Sequence, residues 1–137
     1  MNPAPMPAIT ALYAALVAFL LIALGTRVVT MRRRLRVGLG DGGQGSLQQA
    51  VRVHGNAVEW ALPVLLLLLV AELNRASPVM LHGCGIALVV GRLLHAVGVS
   101  ARPGASFGRV YGMLITIATL AVLAVFDLTA FLRTLAL

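Results

Sequence analysis

The stretch Arg52-Val53-His54-Gly55-Asn56-Ala57-Val58-Glu59-Trp60-Ala61-Leu62-Pro63-Val64-Leu65-Leu66-Leu67-Leu68-Leu69-Val70-Ala71 passes directly from polar into hydrocarbon-like sequence, and its reading decides the fold. The apolar half, Ala61 to Ala71, is too short to cross about 30 Å of hydrocarbon, which takes a helix of about 20 residues. A spanning helix must therefore draw in the polar half. Counted at helical pitch, Arg52, Asn56 and Glu59 fall at i, i+4 and i+7 and share one helix face. Ionisable groups at this depth usually face a bundle interior or an aqueous cavity and mark a functional site.

The rest of the chain agrees with a membrane setting. Of 137 residues, 60% are hydrophobic and 11% charged, whereas soluble domains carry about 25% charged residues. All eleven basic residues are arginines, set against two aspartates and two glutamates, for a net charge of +7. They gather at segment ends, with no basic stripe interleaved with aromatics, so nucleic acid is not an expected partner. Cys84 is the sole cysteine, which excludes an intrachain disulfide and a thiolate metal cluster; its apolar surroundings point to packing. His54, His82 and His95 lie on different helices or at opposite ends, so no metal site is expected. Met1 to Pro7 lacks a basic n-region, and the apolar run that follows ends in arginines rather than a cleavage site, so the first segment is expected to stay as a helix.

Working outward from the opening stretch, the pattern predicts one all-α domain over 1–137, an integral membrane four-helix bundle with helices at about 8–30, 47–74, 79–99 and 106–135. Pro7 suits a first helical turn, and Arg32, Arg33, Arg34 and Arg36 close the first span. The glycine-rich run Gly38 to Gly45 breaks the helix, with Ser46 as the expected cap of the second. Pro63 falls inside that second helix, where it frees a backbone carbonyl that neighbours must satisfy. Gly83, Ala87 and Gly91 give the third helix a four-residue spacing of small side chains suited to close helix packing. Asp127, near the far end of the fourth helix, is read as structural, paired with Thr129 or Arg133 or reaching the interface.

Arginine bias sets the orientation. Arg27, the Arg32 to Arg36 cluster, Arg102 and Arg109 gather at the two odd-numbered connections, with only Arg75 and Arg133 opposite. Both odd connections are then expected on the cytoplasmic side and both termini on the other. The polar face of the second helix therefore opens towards the cytoplasm. Converging there are Arg32 and Arg33, Arg52, Asn56 and Glu59, Arg92 and His95, and Arg109. Such a set suits a small ligand bearing carboxylates and an amine, because the guanidinium fork grips carboxylates and Glu59 can meet an ammonium. An internal Arg52–Glu59 pair is an equal alternative at this point. The arginine cluster after the first helix also has a topogenic and lipid-binding reading.

The motif Arg-x-x-x-Asn-x-x-Glu at Arg52, Asn56 and Glu59, following a helix that ends in Arg32-Arg33-Arg34-Leu35-Arg36-Val37, resembles the membrane-associated proteins in eicosanoid and glutathione metabolism, the family of microsomal glutathione transferases and leukotriene synthases. The resemblance implies a homotrimer with glutathione as co-substrate in a cleft between neighbouring subunits. It would be held by residues matching Arg32, Arg52, His54, Asn56, Glu59 and Trp60, with Arg92 and His95 from the third helix. His54 and Trp60 stand where relatives have glutamine and tyrosine, and His95 and Val99 where they have two tyrosines. The arginine that stabilises the glutathione thiolate corresponds to Arg109, with Arg102 as the other candidate, and an auxiliary one to Arg33.

The resemblance thus implies a glutathione transferase acting on lipophilic electrophiles that reach it from the bilayer, with lipid hydroperoxide reduction as a possible second activity. Membrane lipids, the lipophilic substrate and other copies of the chain are the expected partners, and a bacterial inner membrane the expected location. The alternative is a non-catalytic lipid-binding or scaffold member of the same family, favoured by the absent tyrosines. A transporter would need a midplane site or an internal repeat, and neither is visible.

Overall fold

A computed structural model describes residues 6–101 and 104–135. It is all-α: α1 (Ala8–Leu35), α2 (Gly45–Leu73), α3 (Pro78–Ala101) and α4 (Phe107–Leu135) follow one another. Each of the four is long and apolar enough to cross a membrane. α2 packs on all the others, α3 lies along α4, and α1 rests on α2 and α3 without approaching α4. The spine of the bundle is one face of α2, where Leu47, Ala50, Val53, Ala57, Ala61, Val64, Leu68 and Ala71 are all buried. Their intervals of three and four residues are those of knobs-into-holes packing. Cys84 joins Leu81, Leu88 and Leu123 in the core against this face.

The ends of the helices differ from the expected ones for local reasons. α1 continues through Leu35, five residues beyond the expected 30, because arginines end an apolar span but are good helix formers. It stops where Arg36 turns left-handed (φ 55°). Val37 N–H then donates to Arg32 O (3.1 Å) and Arg36 N–H to Arg33 O (3.4 Å), the pattern of a Schellman cap without its usual glycine. Ser46 is not the cap of α2, which already begins at Gly45 with no side-chain cap. Asp41 shapes this turn instead: its carboxylate accepts from Gly43 N–H (2.9 Å) and its carbonyl from Gln44 N–H (2.9 Å). Gly40, Gly42 and Gly43 supply the positive φ angles that such a tight reversal requires.

At the end of the bundle opposite the arginine cluster, polar groups tie the helices together. Pro7 gives α1 no side-chain cap. Glu72, in the last turn of α2, supplies one from another helix, accepting from Ile9 N–H (2.9 Å) and Thr10 N–H (2.7 Å). A carboxylate there satisfies two amides that hydrocarbon would leave bare and complements the helix dipole. The Tyr13 hydroxyl donates to His82 O (3.2 Å) and lies 2.9 Å from His82 Nδ1. Its ring sits on Gly85, where a Cβ would come within 2.1 Å of it. Asp127 takes neither expected partner. Thr129 is two residues on and so off its face, and donates to Phe126 O instead (2.8 Å). Both Asp127 oxygens are buried without a hydrogen bond of good geometry among the described residues, and Asn74 at the end of α2 is the polar side chain that faces them.

The close helix contact also differs from the expected stripe. Gly83 has open space beside it, whereas Gly91 and Gly98 on α3 meet Gly108 and Gly112 on α4. A Cβ on Gly112 would lie 2.5 Å from both Gly91 O and His95 N, and one on Gly98 2.3 Å from Arg109 N. The seam therefore uses a seven-residue spacing on α3 and brings two backbones into direct contact. Ser106 fastens its end, donating to Gly98 O (2.9 Å) while accepting from Arg109 N–H (3.3 Å), which also caps α4.

Candidate functional site

The candidate site lies at the arginine-rich end of the bundle. α2 and α4 begin at this end, so two positive helix-dipole ends point towards it. Between α2, α3 and α4 lies a cavity of about 400 Å³ lined by Arg52, Asn56, His95, Val99, Arg109, Val110, Met113 and Leu114. A second, of about 480 Å³, is lined by Gly45, Ser46, Gln48, Gln49, Arg52, Val99 and Arg109. Shared lining residues join the two into one trough. Its volume suits a small-molecule ligand. The lining is mixed: Arg52, Asn56, His95 and Arg109 are polar, while Val110, Met113 and Leu114 of α4 are apolar, with Val110 and Leu114 exposed.

Arg52 projects into both parts of the trough, and it makes no ion pair with Glu59 among the described residues. The internal-pair alternative therefore has no support from the geometry. Arg109 lines both parts as well and donates to Gly104 O (3.5 Å). His95 is buried at the cavity wall. Gln49 donates its amide to Val99 O, fastening α2 to α3 beside the trough.

Other expected site residues stand elsewhere within one chain. Arg32 donates to Gly40 O (2.9 Å) and reaches towards Arg52 across a small cavity that they line with Asp41 and Gln48. Arg33 lines a separate outer groove with Val29 and Arg36. His54 faces α1, its Nε2 3.4 Å from where a Cβ on Gly25 would be. Glu59 is exposed and Trp60 half-buried, both outside the trough lining. Arg102 lies outside the described residues.

Arg92 is 1% exposed. Its Nε donates to Thr116 Oγ1 (3.1 Å), its Nη1 to Asn56 Oδ1 (2.9 Å) and its Nη2 to Gly112 O (3.4 Å). Within one chain it therefore grips Asn56 rather than open cavity. Thr116 was missed from the sequence, since nothing marks a threonine in an apolar helix as an arginine acceptor. Gln48 and Gln49 were missed too, although Gln49 lies three residues before Arg52 and so on its face, a signal open to the same helical counting.

The family model for the MAPEG family matches residues 10–128. The chain belongs to the MAPEG family. That family includes glutathione transferases, and its match spans α1 through most of α4. Among curated proteins this MAPEG chain is similar to Inner membrane protein YecN of Escherichia coli strain K12, with 48% identity over 90 residues, covering 66% of this chain and 69% of the relative. The protein of the same name in E. coli O6:H1 matches equally, 48% over 90 residues. The printed name states a location and no reaction.

Proposed function

We propose that this MAPEG protein is a glutathione transferase of the bacterial inner membrane, conjugating glutathione to lipophilic electrophiles. The observation that carries this reading is the mixed lining of the trough, which brings Arg52, Asn56, His95 and Arg109 together with Val110, Met113 and Leu114. An anionic peptide thiol suits the polar members of that lining and an apolar partner the others. A thiol of ordinary pKa, about 8.5, is mostly protonated at neutral pH, and a guanidinium beside it favours the thiolate. A two-unit shift corresponds to about 2.7 kcal/mol, within reach of one partly desolvated charge contact. The thiolate sulfur then forms a bond to the electrophilic carbon, which releases its leaving group or, for an activated alkene, takes a proton from water. No protein nucleophile is needed.

A homotrimer completes the site in this reading. Glu59 is exposed, and α1, which carries Arg32 and Arg33, does not approach α4 of its own chain. A neighbouring copy would bring an α1 arginine to the open side of the trough. Native mass measurement in detergent is expected to give trimers that bind glutathione with the appearance of thiolate absorbance. A stable monomer that binds glutathione would exclude a site shared between subunits. Absence of thiol-dependent turnover across several electrophiles and hydroperoxides would favour the lipid-binding alternative, for which the specific observation is His95 and Val99 in place of tyrosines.

The orientation we infer puts the trough on the cytoplasmic side, following the arginine bias. In a Cys84→Ala background, Arg75→Cys should label with an impermeant thiol reagent from outside intact spheroplasts, and Arg36→Cys only after lysis. The reverse pattern would place the trough on the outer face.

A further inference from the structure

We propose that Arg92 is a positioning residue that fixes the hydrogen-bonding sense of Asn56, so that Asn56 meets the ligand as a donor only. Arginine carries donors and no acceptor. The Asn56 atom 2.9 Å from Arg92 Nη1 is accordingly the amide oxygen. With its oxygen turned to Arg92, Asn56 presents its NH2 group to the cavity that it lines. A side chain able to accept or donate becomes one that only donates.

The rest of the network keeps Arg92 from moving to do anything else. Thr116 donates its hydroxyl hydrogen to Gly112 O (2.9 Å), which leaves a lone pair for Arg92 Nε at 3.1 Å. Nη2 reaches Gly112 O (3.4 Å), and Nη1 also reaches the Asn56 backbone carbonyl (3.4 Å). The α3–α4 glycine seam presses this arrangement closed, since a Cβ on Gly91 would lie 2.9 Å from Thr116 Oγ1. No carboxylate stands among these partners, so the buried cation remains uncompensated within them and adds to the positive field of Arg52 and Arg109. The ligand group at Asn56 is accordingly an acceptor, a carboxylate or a peptide carbonyl, and an ammonium there is rejected.

This proposal rests on the glutathione reading, and its test separates the two. The probe is glutathione, titrated calorimetrically into the detergent-solubilised full chain. In Arg92→Gln the new side chain can accept from Asn56 NH2, so the amide is free to turn over; the Kd should rise about tenfold, the loss of one hydrogen bond to a charged group. Arg92→Lys, which only donates, should recover most of the affinity. Asn56→Asp keeps an acceptor for Arg92 and should melt no lower than wild type, yet bind glutathione at least tenfold more weakly. In that background Arg92→Gln should add little further loss, because residues acting through one contact are not additive. Unchanged affinity in Asn56→Asp, or full additivity of the two substitutions, would overturn the positioning role alone. A wild-type protein that binds no glutathione would overturn it together with the reading beneath it.

Discussion

On the proposed transferase reading, Arg109→Ala is expected to lower glutathione-dependent turnover about 25-fold at pH 7 and to leave it near wild type above about pH 9, the difference between a thiol of pKa about 6.5 and one of about 8.5. The sign follows from the thiolate being the nucleophile. With the guanidinium present the reactive form exists across neutral pH; without it, the rate climbs with pH until the unassisted thiol ionises. Binding should change less, because Arg52 still lines both parts of the trough. Arg109→Lys should recover part of the rate, keeping the charge but losing the fork. The measurement is a pH–rate profile with a simple apolar electrophile for wild type, Arg109→Ala and Arg102→Ala. An unshifted profile for Arg109→Ala beside a shifted one for Arg102→Ala would move the assignment to Arg102.

Gly112→Ala should be among the most damaging single substitutions outside the trough. Its Cβ would sit 2.5 Å from Gly91 O and His95 N and 2.9 Å from His95 Cα, all backbone atoms that cannot swing aside. α3 and α4 must separate, at a cost of about 1–3 kcal/mol in packing alone. Separation also breaks the contacts of Arg92 with Thr116 and Gly112, so on the proposed reading glutathione affinity should fall with stability. Gly83→Ala is the control: nothing lies within 4 Å of its added Cβ, and a helical alanine is favoured over glycine by about 1 kcal/mol. Thermal unfolding in detergent should show Gly112→Ala melting well below wild type and Gly83→Ala at or above it. Equal melting of Gly112→Ala and wild type would mean that the two helices are not in contact as described.

Much of the fold was legible because it depends on quantities local in sequence. Apolar length predicts four spans, and counting at helical pitch puts Arg52 and Asn56 on one face, where both line the trough. Glu59 shares that face but lies at its margin, exposed, because rotation of α2 against its neighbours decides which edge is covered. The rotation of α3 against α4 likewise decides that, although Gly83, Ala87 and Gly91 suggest a stripe, the actual seam pairs Gly91 and Gly98 with α4. Contacts such as Arg92 with Thr116, or Glu72 with the start of α1, join residues far apart in the chain through side-chain reach. No periodicity announces them. His54 is another such case, since its ring lies beside Gly25 of α1 within one chain.

The cap that Glu72 provides has a consequence for biogenesis. The amides of Ile9 and Thr10 wait for a carboxylate that lies more than sixty residues later in the chain. During synthesis α1 leaves the ribosome before α2, so these amides rely on other partners such as water until Glu72 is made. The cap can form only once the last turn of α2 has been made, so the first two helices complete this contact as a hairpin. A nascent chain arrested short of residue 72 would lack this cap.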